Sequence, residues 1–138
     1  MNFSRRINFF KPNLKRIKSK GYFCADMHFH TIFSDGGATI KDILKKLKKL
    51  KISLAITDHN EIRGAVKAKA SLPDKIIPGI EVKTIKGVDI LLYFYNVEDL
   101  IEFYTKFIKD NKKGIVFSRV KKTFLDIISI SSKYKCLT

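Results

Sequence analysis

All three histidines of this chain lie in two short motifs. The first reads Asp26-Met27-His28-Phe29-His30-Thr31-Ile32-Phe33-Ser34-Asp35-Gly36, the second Thr57-Asp58-His59-Asn60. His28 and His30 are two residues apart, so on an extended strand their side chains share a face. Imidazole combined with carboxylate is the donor set of Zn, Mn and Fe sites. A divalent ion lowers the pKa of bound water, and two or three ions held by shared carboxylates can clamp a phosphate during displacement. Asp35 can reach back from the turn after His30, and His59 adds a third imidazole. Glu81, which follows Pro78-Gly79-Ile80, is placed to bridge two ions from another strand. Asp26 and Asp58 each precede a candidate ligand, so each is read as a ligand or as a group that fixes an imidazole. Taken singly, Asp35 is an ordinary turn aspartate and Asp58 a helix cap. The joint pattern is what points to metal chemistry.

These residues need strands to carry them. An apolar run from Tyr22 into the first motif reads as a strand over 22–28, with Cys24 buried in it. Ser34-Asp35-Gly36-Gly37 is a turn. Thr39 with Asp42 resembles a capping box, and Ile40, Ile43, Leu44, Leu47 and Leu50 then repeat at helical spacing opposite a lysine face. Residues 52–57 form a short buried strand that ends at His59, and 61–70 a helix. Residues 76–82, interrupted by Pro78-Gly79, and 88–95 are two further strands. Asn96 caps a helix whose apolar stripe is Val97, Leu100, Ile101, Tyr104, Phe107 and Ile108. An apolar run, Ile115-Val116-Phe117, and a helix around 119–134 follow. Alternation of this kind predicts an α/β layer or barrel with mostly parallel strands. In such folds chemistry gathers at the C-terminal ends of the strands, where the histidines fall.

The length of 138 residues fits one domain, here 21–138, preceded by a basic lead-in over 1–20. That lead-in holds seven basic residues and no acid, with Phe3, Ile7, Phe9 and Phe10 among them. The formal net charge is +15, yet 23 of the 28 basic residues are lysine. Lysine is the poorer partner for bidentate phosphate recognition, so solvated lysine faces explain the charge better than a nucleic-acid reader. Nucleic acid is expected only as a weak electrostatic partner, and a membrane as none. Two cysteines are too few for a disulfide scaffold and fit a reducing cytoplasm. No apolar run reaches membrane-spanning length, and the N-terminus lacks a signal-peptide pattern.

The segments Asp26-x-His28-x-His30-Thr31-x-x-Ser34-Asp35-Gly36, Ile56-Thr57-Asp58-His59-Asn60 and Ile77-Pro78-Gly79-Ile80-Glu81-Val82 together resemble the first three motifs of the PHP (polymerase and histidinol phosphatase) family. The resemblance runs from about Gly21 to Asn96. It implies a distorted (β/α)7, TIM-like barrel with two or three divalent ions, Zn, Mn or Fe, at the strand ends. It implies hydrolysis of a phosphoester, the substrate being a small phosphorylated metabolite or a nucleotide, by metal-activated water. By motif, the ligands carried over are His28, His30, Asp35, His59 and Glu81.

Two departures qualify the match. Asp89 stands where many family members have a histidine before an Ile-Leu-Gly-Tyr-like strand. No histidine follows His59, although the family carries later ligand motifs. The expectation is therefore the front half of the barrel, whether as a split-gene product, a degraded pseudogene product, a sequencing fragment or a protein that pairs with a chain supplying the rest. The competing expectation is an inactive PHP remnant that binds a metal, nucleic acid or a partner protein.

Overall fold

The computed structural model describes residues 11–112 and 118–138. Phe3, Ile7, Phe9, Phe10 and the run Ile115-Val116-Phe117 lie outside the described residues. The elements in order are α1 (Leu14–Ser19), β1 (Ala25–Phe29), α2 (Ile40–Leu50), β2 (Ser53–Ile56), α3 (Arg63–Ser71), β3 (Ile76–Lys83), β4 (Asp89–Phe94), α4 (Val97–Phe103), α5 (Phe124–Ser131) and β5 (Cys136–Leu137).

The five strands form one sheet in the order β1-β2-β3-β4-β5. β1, β2 and β3 pair in parallel, whereas β3–β4 and β4–β5 are antiparallel. Only β4 thus runs against the rest, so the expected mostly parallel α/β arrangement is present. α2 follows β1 and α3 follows β2, the crossovers that parallel pairing requires.

α2 forms because its apolar positions recur at helical spacing and Thr39 accepts from the Asp42 amide at 3.2 Å. Ile43 and Leu47 are buried against the sheet, each stabilising by about 2 kcal/mol. At its other end the Lys18 ammonium of α1 donates to the Leu50 carbonyl, so the lead-in from Lys11 onward docks as a C-terminal cap. The core joins Leu54 and Ile56 of β2, Ile80 and Val82 of β3, and Leu92 and Phe94 of β4 to Leu100, Phe103, Ile108 and Ile127. Among the described residues no helix is long and apolar enough to cross a membrane.

Three expectations are corrected. The first strand begins at Ala25, not Tyr22. Tyr22 and Phe23 are exposed and Cys24 is only half-buried, because β1 lies at the sheet edge. The helix after Asn96 passes into a π turn at Tyr104–Ile108 and a 3-10 turn at Lys109–Asn111. The wider π turn brings Ile108, five residues on, to the buried side that Leu100 and Phe103 of α4 occupy, while Ile101 is exposed. The last helix begins at Phe124 rather than near 119, fixed by a capping box between Thr123 and Asp126. The chain before it is extended, and the Val120 amide donates to the Lys83 carbonyl at 2.9 Å. β5, Cys136–Leu137, lies at the other sheet edge.

Candidate metal centre

The site begins with an irregularity in β1. Asp26 pairs with Leu54, but the next aligned pair is Phe29 with Ile56, so Met27 and His28 together oppose Ala55. This bulge changes which residues share a face. Asp26 lies with Phe29 and Leu54 in the recess beneath α2, while His28 and His30 project toward β3. Strict alternation would have kept Asp26 with the histidines. Its carboxylate instead accepts from the His28 amide at 3.3 Å, so Asp26 steadies the bulge and contacts neither imidazole ring.

β3 extends past the end of β2, whose last partner is Pro78. His59, just beyond β2, forms a parallel bridge with Glu81. The Asn60 amide donates to the Glu81 carbonyl at 2.8 Å and the Glu81 amide to the Asp58 carbonyl at 3.2 Å. Asn60 has a left-handed backbone, φ 47°, which asparagine tolerates better than most residues. Its side-chain oxygen accepts from the Lys83 amide at 3.1 Å, and its side-chain amide donates to the Ser118 carbonyl.

The five carried-over residues converge. Glu81 Oε2 lies 3.3 Å from His28 Nε2, 2.9 Å from His30 Nε2 and 3.2 Å from His59 Nδ1. The two histidine Nε2 atoms of β1 are 3.0 Å apart. Asp35 closes the other side, with Oδ1 2.5 Å from His30 Nδ1 and Oδ2 3.7 Å from His59 Nε2. Asp35 is held below the ordinary carboxylate range. Burial alone would raise it, but the His30 hydrogen bond and the charges of His30 and His59 outweigh that.

Asp58 is fully buried and serves the loop rather than a histidine ring. Its oxygens accept from the Thr31 amide at 2.7 Å, the Thr31 hydroxyl at 2.7 Å and the Ser34 hydroxyl at 2.6 Å. These bonds fix the turn that presents Asp35. Gly64, in the first turn of α3, lets that helix press on the same carboxylate: a Cβ there would lie 2.2 Å from Asp58 Oδ2.

The donor chemistry fits a divalent metal. Three overlapping sets, His28/His30/Glu81, His30/Asp35/His59 and His59/Glu81/Asp89, each bring their donor atoms within 4.8 Å of one another. Carboxylate oxygens and imidazole nitrogens are the donor atoms a divalent ion takes, and here they lie within reach of a shared position. Asp89, read in the sequence as a departure, is therefore beside the cluster. Sequence reasoning missed two neighbours. Lys83 pairs with Asp89 at 2.6 Å, and Tyr93 donates to the Met27 carbonyl at 2.8 Å. Burial and then the charge of Glu81 push the Tyr93 hydroxyl upward. Both lie on the Glu81 face of the β3–β4 ladder, where Lys83 faces Asp89 and Gly79 faces Tyr93. Period-2 alternation from Glu81 would have found Lys83.

A mixed α/β sheet whose strand ends gather three imidazoles and three carboxylates defines the class, an α/β protein with a candidate divalent-metal centre. A PHP domain profile matches residues 26–135, and the chain belongs to the PHP domain family. No curated protein matches it. Among solved structures, a candidate metal-dependent phosphoesterase from Bifidobacterium adolescentis is similar, with 25% identity and a TM-score of 0.49. The match covers 64% of this chain and 33% of that protein, so the chain spans about a third of its length.

Proposed function

We propose that this chain carries metal-binding strands of a PHP-type phosphoesterase that acts on a small phosphorylated metabolite or nucleotide. The observation that supports this most is Glu81 Oε2 lying within 3.3 Å of a ring nitrogen of all three histidines. His28, His30, His59 and Glu81 would hold the ion, with Asp35 closing the shell. A bound divalent ion would supply Lewis acidity toward a phosphoryl oxygen and make water a better nucleophile near neutral pH. The chain's own contribution is placement. The β1 bulge aims His28, Asp58 fixes the Asp35 turn, and the Asn60 turn locks His59 to Glu81 before any ion arrives.

The wider reading is a distorted barrel of which this sheet is one part, the remaining strands coming from a further chain or segment. His28 remains 48% exposed at its side chain, leaving room for ligands contributed from outside. The test is hydrolysis of p-nitrophenyl phosphate by the chain alone and with a second chain supplying the later family motifs, each with added Mn²⁺ or with chelator. The expected result is turnover only in the pair, lost on chelation. Turnover that survives chelation would overturn the reading.

A further inference from the structure

Glu81, Lys83 and Asp89 share one face of the β3–β4 hairpin, with Lys83 directly opposite Asp89. Asp89 offers a donor atom within 4.8 Å of donors on His59 and Glu81, which makes it the third member of a potential cation set. The Lys83 ammonium is already there, 2.8 Å from Asp89 Oδ1 and 2.6 Å from Oδ2. Its backbone is pinned on both sides, since the Lys83 amide donates to Asn60 Oδ1 and its carbonyl accepts from the Val120 amide. The pair is partly shielded from water, with the side chains 22% and 33% exposed.

We propose that Lys83 acts as a built-in counter-ion that keeps the His59–Glu81–Asp89 position closed to a divalent metal. The inference rests on the metal reading above. An ion entering that set would have to share Asp89 with a fixed ammonium a few ångströms away. The repulsion between like charges is strong where water is partly excluded. Lys83 neutralises Asp89 without metal, so the ions are confined to the sets built on His28, His30, Asp35, His59 and Glu81. Lys83 is a specificity residue for metal number rather than a ligand.

The experiment counts Mn²⁺ per folded chain by elemental analysis after gel filtration, with electron paramagnetic resonance to detect exchange-coupled ions. Wild type is compared with Lys83→Met, Lys83→Gln, Lys83→Arg and Lys83→Met/Asp89→Asn. Lys83→Gln keeps a hydrogen-bonding side chain and serves if Lys83→Met does not fold. Loss of the charge should add one Mn²⁺ per chain, or tighten the weakest site by about tenfold. Lys83→Arg and the double variant should keep the wild-type count. An unchanged count and affinity in Lys83→Met and Lys83→Gln would mean that the pair is only a surface salt bridge and would overturn the proposal. If wild type instead holds no Mn²⁺, Glu81→Gln changes nothing and Lys83→Met gains none, the metal reading itself fails.

Discussion

Glu81 and His59 are joined twice. The residues flanking His59 bond the Glu81 backbone in a parallel bridge, and Glu81 Oε2 then meets His59 Nδ1 at 3.2 Å. Two donors from different strands are therefore set by the main chain rather than by flexible side chains alone, the arrangement that favours a tight metal site.

The first prediction follows from that central carboxylate. Glu81→Gln keeps the shape but removes the charge that faces all three imidazoles. Metal content should fall by at least about tenfold, as expected when a ligand is lost from a small set. His28→Ala should also lower it. Asp26→Asn should leave it unchanged, because the asparagine side-chain oxygen can still accept from the His28 amide and so keep the bulge. Elemental analysis of the purified variants decides it, and equal metal in wild type and Glu81→Gln would refute the ligand assignment.

Asp58 supports the site from beneath. Asp58→Ala leaves the buried Thr31 amide and hydroxyl without their acceptor. The expected loss is about 3 kcal/mol, the scale for removing charge-assisted bonds and stranding a buried donor. Urea unfolding monitored by circular dichroism measures it. A loss under about 0.5 kcal/mol, typical of a surface substitution, would show that the loop does not depend on this carboxylate.

Gly64→Ala tests the same contact from the helix side. The added methyl would fall 2.2 Å from Asp58 Oδ2 and 2.7 Å from Thr31 Oγ1. Although alanine favours helix, overpacking should destabilise by about 1–3 kcal/mol. The Asp35 turn should shift as well, seen as altered amide chemical shifts at residues 31–36. A stabilised Gly64→Ala would contradict the packing.

The acid limb of stability has a named contributor in Glu61. Burial alone would raise its pKa. The Arg63 side chain, the amides of Arg63 and Ile62, and the charge of Lys112 together bring it below its ordinary 4.5. A depressed carboxylate contributes stability that is present above its unfolded value and lost as pH falls through the folded value. Wild type should therefore lose stability from about pH 4.5 downward. Glu61→Gln should be less stable at neutral pH and flatter over that acid range. Melting temperature against pH shows this, and parallel curves for the two proteins would rule it out.

Much of the chemistry was written in the sequence. His28, His30, Asp35, His59 and Glu81 were legible as candidates because their donor types and joint spacing resemble the PHP motifs. α2 was legible from Thr39 and its apolar repeat. Period alone could not reveal the bulge at Met27 and His28, since an extra residue in one strand shows only once its partner is aligned. That bulge sends Asp26 to the α2 side and leaves His28 facing Glu81. Nor could it show the π turn at Tyr104–Ile108, which buries Ile108. Asp58 read as a ligand or a cap because its real partners, Thr31 and Ser34, are 27 and 24 residues away. The Lys83–Asp89 pair likewise exists only through cross-strand register. Donor identity is a local property of the sequence. Which donors meet, and which cation reaches them first, is decided by strand pairing, because only the folded sheet brings distant charges within a few ångströms.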